Sequence, residues 1–199
     1  MRKTTLIALL TLLTACSQAP ETITEFDASS LIQGELSAQS YVKAATTLVD
    51  AASQAVSSAE LSEKELNQHI AKVEAMLQLA RDLEQENPYR AELLSTLGSM
   101  YAKKSVFYSN NAKQAGSLAA KGFRYLDKAV SGYPNNITAR INRGIVSARV
   151  PEFLNKTNVA ISDLSFVVNN PDFSALSQPL QQSIHGMLAE LNTRVKHEF

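Results

Sequence analysis

The chain has 199 residues, 19 of them basic and 19 acidic. That is length enough for one domain with a real core, without the basic excess of a nucleic-acid binder. Its single cysteine excludes an intrachain disulfide and any cysteine-based metal site. The even total hides a reversal of sign: residues 17–102 carry 13 acidic and 5 basic side chains, residues 103–156 carry 10 basic and 2 acidic. Such a field steers an anionic partner to the second half, unless the two halves pair with each other or lie on separate solvated surfaces.

The first residues, Met1-Arg2-Lys3, are positive, and an apolar run from Leu6 to Leu13 follows. A membrane span needs roughly 20 apolar residues, so this run is too short to be one. A charged start, a short apolar stretch and small residues at its end describe a secretory signal peptide. Leu13-Thr14-Ala15-Cys16 resembles the lipobox of bacterial lipoproteins. The resemblance implies a diacylglyceryl thioether on Cys16, cleavage before it and acylation of the new amino group. It divides the chain into a signal peptide (1–15), a lipidated cysteine with a flexible tether (16–34) and a helical domain (35–199). Ser17 stands where an aspartate would signal inner-membrane retention in enteric bacteria. The expectation is therefore the outer membrane, facing the periplasm, in a Gram-negative cell.

Helical periodicity organises the remainder. Tyr41, Leu48, Ala52 and Val56 share one stripe, which predicts a helix over 37–57. Ser62-Glu63-Lys64-Glu65 is a capping-box pattern. It opens a second helix with Leu66, Ile70, Val73, Leu77 and Ala80 along one face, stopped at Asn87-Pro88. Further helices are predicted over 89–109, 112–131, 136–149, 156–168 and 175–197. Gly132-Tyr133-Pro134, Val150-Pro151 and Asn169-Asn170-Pro171 supply the breaks. No segment alternates like a strand, so the fold class is all-α, with seven helices.

Two of these segments look alike. Pro88 precedes Gly98 by ten residues, and Pro134 precedes Gly144 by ten. Leu94, Leu97, Gly98 and Tyr101 are similar to helix A of the tetratricopeptide repeat, and Ala129 stands five residues before Pro134. In the second copy Gly144 matches, but Arg140 and Arg143 take the bulky and leucine positions and Ser147 the aromatic one. Ala160, Leu164 and Val167 before Pro171 stand for its helix B. The resemblance spans about residues 66–171 and implies antiparallel hairpins stacked as a short α-solenoid. Glycine and alanine would then let the helices approach, and each pair would bury its apolar face on the next. Gly186 is a further candidate for close approach, without the surrounding pattern.

Arg140 and Arg143 lie three apart on one helical face, where the repeat normally buries apolar side chains. A buried guanidinium must be paired or reach water. Two readings stay open. Arg140, Arg143, Arg149 and Lys103 form a patch that binds an anion or partner, or the arginines pair internally with Asp163, Asp127 or Glu152 or turn into solvent. Peptide-tail-binding tetratricopeptide domains place lysine and asparagine three residues before and one after the glycine. Here those positions hold Ser95 and Ser99 in one copy, Ile141 and Ile145 in the other. The clamp is absent, and a surface of serine and isoleucine fits a different peptide or an apolar ligand.

His69, His185 and His197 lack metal-ligand spacing, and no nucleophile elbow, phosphate loop or dinucleotide motif appears. The expected function is a non-catalytic, membrane-anchored scaffold for another envelope protein. It would need no metal and no cofactor beyond the lipid on Cys16, would touch the membrane through that lipid alone, and leaves self-association open. The competing expectation is a ligand-binding accessory of a transporter, by architectural resemblance to the T component of TRAP systems.

Overall fold

A computed structural model describes residues 38–58, 60–82 and 89–197. The expected signal peptide, Cys16, the expected tether and the Asn87-Pro88 stop lie outside these residues. Seven α-helices and no strand occur among them: α1 (Ala38–Ser57), α2 (Glu63–Asp82), α3 (Tyr89–Val106), α4 (Ala112–Gly132), α5 (Ile137–Arg149), α6 (Thr157–Val168) and α7 (Gln178–His197). The fold is all-α, as the periodicity predicts.

Helix starts follow local chemistry. Ser62 and Glu65 cap α2 reciprocally: the Glu65 amide donates to Ser62 Oγ at 3.3 Å and the Ser62 amide to Glu65 Oε2 at 2.9 Å. Asn111 accepts from the Gln114 amide to open α4, and Asn136 accepts from the Ala139 amide to open α5. Three boundaries differ from expectation. Helix α3 stops at Val106, three residues early, in a turn over 107–110. Two short 3-10 helices, Glu152–Leu154 and Pro171–Ala175, fill links read as plain loops, so α7 begins at Gln178. Both follow from a proline whose ring presets the first turn without needing an amide donor. Asn155 closes the first of them in the left-handed region at φ 53°, a conformation asparagine tolerates better than most residues.

The helices pack in chain order. Helices α1, α3, α5 and α7 form one row in which each touches the next, and α2, α4 and α6 each pack on the two odd-numbered helices flanking them. Three apolar clusters fill the junctions. Leu48 and Ala52 of α1 meet Leu66, Val73 and Met76 of α2 and Leu93, Leu97 and Met100 of α3. Ala91 and Leu94 meet Ala129, Val130 and Ala139 between α3, α4 and α5. Ile141, Ala160, Leu164, Val167, Ile184 and Leu191 close the last junction. Helix α3 touches four others, which is why its Leu93–Tyr101 stretch is buried on every side instead of along one stripe.

Glycine sets the tightest helix pair. A Cβ on Gly98 would lie 2.8 Å from the Gly122 carbonyl oxygen, and one on Gly122 would lie 2.7 Å from the Gly98 carbonyl oxygen. The two glycines thus make a reciprocal contact between α3 and α4. A Cβ on Gly144 would lie 2.7 Å from Leu164 Cδ2, between α5 and α6. Gly186 faces open space, so its candidacy for close approach fails. Its helix is the last of the row and nothing packs over that face. Leu94, Leu97, Tyr101, Ala129 and Ala160 are buried. Pro134 is exposed and breaks the chain instead of packing.

Candidate functional site

Arg140 and Arg143 of α5 meet a buried acid. Asp163, on α6, has no exposed surface. Arg140 Nη1 donates to its Oδ1 at 2.8 Å, Arg143 Nε to its Oδ2 at 2.6 Å and Arg143 Nη2 to its Oδ1 at 3.0 Å. Arg143 Nη1 also donates to Asp127 Oδ1 on α4 at 3.0 Å, and Arg140 Nε to the Pro134 carbonyl at 2.9 Å. Lys156 stands 4.0 Å from the second oxygen of Asp127. Phe166 lies under Arg140 and Phe123 under Lys156, with the cations 4.7 and 4.5 Å from the ring centroids. Hydrogen bonding to Asp163 holds the Arg143 guanidinium above its ordinary pKa, against the opposing effect of burial.

This network joins α4, α5 and α6 and uses the arginines' hydrogen-bonding faces internally. Of the readings open in the sequence, internal pairing with Asp163 and Asp127 is the one the geometry adopts; Glu152 takes no part. The other two basic residues of the candidate patch lie elsewhere. Lys103 donates to the Ser58 carbonyl at 3.3 Å. Arg149, exposed at the end of α5, borders a cavity of about 420 Å³ with Met187, Glu190 and Arg194 of α7.

The face expected to bind a peptide is covered. Ser95 and Ser99 are buried, and Asn142 Nδ2 of α5 donates to Ser95 Oγ at 2.9 Å. Ile141 is buried and Ile145 packs against the same apolar cluster under α7. That row of positions is an interface between neighbouring hairpins, since α5 docks on α3 and α7 on α5.

A second polar cluster and a trough lie between α2, α3 and α4. Tyr101 donates to Glu74 Oε1 at 2.7 Å, and Lys121 Nζ donates to the same tyrosine oxygen. Burial, followed by the neighbouring Glu74 carboxylate, pushes the Tyr101 hydroxyl well above its ordinary pKa, so it remains a donor. The Tyr101 and Tyr125 rings stack at 5.8 Å. Beside them opens a trough of about 300 Å³. Its apolar lining is Leu77, Leu94, Leu97 and Tyr125, and Glu74, Gln78, Arg90 and Lys128 complete it. Acidic and basic halves of the chain touch here through Lys121 and Glu74, 3.5 Å apart. Sequence reasoning did not single out the trough, whose residues come from three helices with no shared motif.

No family model matches this chain, and no match is found among curated proteins or solved structures. The chemistry must therefore be judged from the side chains alone. Among the described residues no three His, Cys, Asp or Glu side chains group as metal ligands. His69 is partly buried with an unpaired Nδ1, and burial lowers its pKa. His185 packs edge-on against Phe173. No helix among the described residues is long and apolar enough to cross a membrane.

Proposed function

We propose that this chain is a lipid-tethered, non-catalytic scaffold of the bacterial envelope, outer-membrane and periplasm-facing, whose helical hairpins stack as a short tetratricopeptide-like solenoid and hold another envelope protein. The observation that carries the binding role is the trough between α2, α3 and α4. It combines an apolar lining of Leu94 and Tyr125 with Glu74, Arg90 and Lys128, the pattern of an interface whose apolar centre supplies affinity and whose polar groups set register. Row packing of α1, α3, α5 and α7 supports the solenoid reading, because stacked repeats require each hairpin to pack on the next. The lipobox-like Leu13-Thr14-Ala15-Cys16 supports the anchor. Arg140 and Arg143 belong to the scaffold's internal support, and the docking role passes to the trough.

The test is a site-specific photo-crosslinker placed in living cells at Lys128, on the trough, and at Gln182, on the exposed face of α7. A discrete protein adduct from Lys128 and none from Gln182 supports the scaffold. Equal labelling from both positions, or none from either, removes it.

A second reading, a ligand-binding accessory of a transporter, draws on the volume of the same trough, at the lower end of what small-molecule pockets occupy. Native mass spectrometry of the purified chain separates the two. A bound small molecule that Tyr125→Ala abolishes, with no protein adduct from Lys128, selects the accessory.

A further inference from the structure

The hairpins expose bulky apolar side chains at their tips. Val106 is 67% exposed and Phe107 41% exposed at the α3–α4 turn; Phe153 is 78% and Leu154 37% exposed at the α5–α6 turn. Adjacent exposed apolar groups, two at each of these neighbouring hairpin tips, are the kind of patch that marks an interaction site.

Both turns lie on one edge of the domain. Gly98 faces Gly122 and Leu126, and Leu94 clusters with Ala129 and Val130, so α4 runs antiparallel to α3. Arg143 meets Asp127, and Ala139 meets Ala129 and Val130, so α5 runs antiparallel to α4 and parallel to α3. Ser95 and Asn142 touch and mark a common level. From there α3 rises about 16 Å to Val106 at 1.5 Å per residue, and α5 rises about 10 Å to Arg149. The 3-10 turn Glu152–Leu154 follows at that end of α5, so both tips lie at the same edge.

The two tip segments themselves are mainly basic. Lys103, Lys104 and Lys113 flank the first tip, Arg149 and Lys156 the second, and Glu152 is the one acidic residue in 103–113 and 149–156. We infer that this edge, through Phe107, Phe153 and their basic neighbours, docks on an anionic lipid bilayer surface. Exposed aromatic and aliphatic groups ringed by lysine and arginine are the chemistry of interfacial membrane contact.

The third link on this edge carries the opposite sign. Glu60, Glu63 and Glu65 surround it, and Tyr108 and Lys103 bind it to the first tip through Glu63 and the Ser58 carbonyl. An anionic surface repels that link, so contact centres on the two later tips and the domain tilts. Distance permits the contact. Helix α1 begins at the opposite edge, about 30 Å away for its 20 residues. The 21 residues from Ser17 to Ser37 can reach at most about 70 Å. The inference rests on the lipid-tether reading for proximity only.

The chain has no tryptophan, so Phe153→Trp supplies a unique reporter. The full chain carrying it is reconstituted with phosphatidylglycerol vesicles whose acyl chains are brominated. Tyr133→Trp, in the α4–α5 link at the opposite edge, is the control. The expected result is a blue-shifted Phe153→Trp emission quenched by the acyl bromines, with the control quenched by aqueous iodide instead. Phosphatidylcholine vesicles, or Lys113→Ala with Arg149→Ala, should weaken the acyl quenching, the double variant by about 25-fold in apparent partition at roughly five-fold per charge. Equal iodide access at both positions overturns the proposal, as does protection of Phe153→Trp that appears only after a protein partner is added. Mass spectrometry reads Cys16 separately. An unlipidated chain that still shows acyl quenching sustains the docking and sinks the anchor; a lipidated chain whose Phe153→Trp reporter stays in water sinks the docking alone.

Discussion

The Asp163 carboxylate is wholly buried and takes both oxygens' bonds from Arg143, at 2.6 and 3.0 Å. One guanidinium thus grips one acid in a forked pair, with Arg140 as a second donor. Removing the acid strands two arginine side chains that are 17% and 16% exposed. Asp163→Asn should cost about 3–5 kcal/mol, the range for breaking a buried pair from one side. The melting temperature should fall by on the order of 10 °C. Asp127, 47% exposed, is the contrast. Asp127→Asn should cost no more than about 1 kcal/mol. Equal losses in thermal denaturation would mean that the network does not centre on Asp163.

The glycines divide by what faces them. Gly98→Ala and Gly122→Ala each drive a methyl group into backbone of the partner helix, and overpacking of this kind costs about 1–3 kcal/mol. Gly116 and Gly186 face open space inside helices, so Gly116→Ala and Gly186→Ala should stabilise by about 0.5–1 kcal/mol each. Urea titration of the four variants checks the pattern, and a uniform sign across all of them would refute it.

Glu92 makes the domain less stable as its carboxyl ionises. Burial raises its pKa and Asp50 adds repulsion, partly offset by a hydrogen bond with the Asn136 side chain. The folded chain therefore keeps a proton that the unfolded chain has lost. This contribution to stability is greatest below the unfolded value of about 4.3 and declines as pH rises through the folded pKa. Glu92→Gln should melt higher than the parent at pH 7 and lose that advantage near pH 4. A gap independent of pH would remove ionisation as its cause.

His69 acts in the opposite direction. Burial, then Lys72, lowers its pKa below the ordinary value, and its buried Nδ1 lacks a partner. The unfolded chain takes up the proton first, so stability falls as pH drops through about 6.5 and levels off once the folded form protonates. His69→Gln should flatten the denaturation midpoint between pH 7.5 and 5.5. An unchanged slope would assign the acid sensitivity to another group.

Legibility followed the range of the interactions concerned. The Ser62–Glu65 cap was readable because both partners lie within one turn of backbone. Gly98 and Gly144 were readable from their fixed offset to proline. Gly122 was missed, although the buried face through Leu126 and Ala129 extends back one turn to it. The internal pairing of Arg140 and Arg143 stood among the alternatives because a charge at an apolar position demands a partner. Which acid would supply it required α6 to be docked. Ser95 and Ser99 misled for the same reason: their exposure depends on whether α5 covers them.

Periodicity, caps and breaks determined the number and type of the helices and the close approach at two glycines, since these depend on residues a few positions apart. The edge bearing Phe107 and Phe153, the trough beside Tyr125 and the acid that Arg143 grips were decided by tertiary structure. Each joins side chains from helices distant along the chain, whose meeting is governed by packing angle and register, quantities that no local pattern encodes.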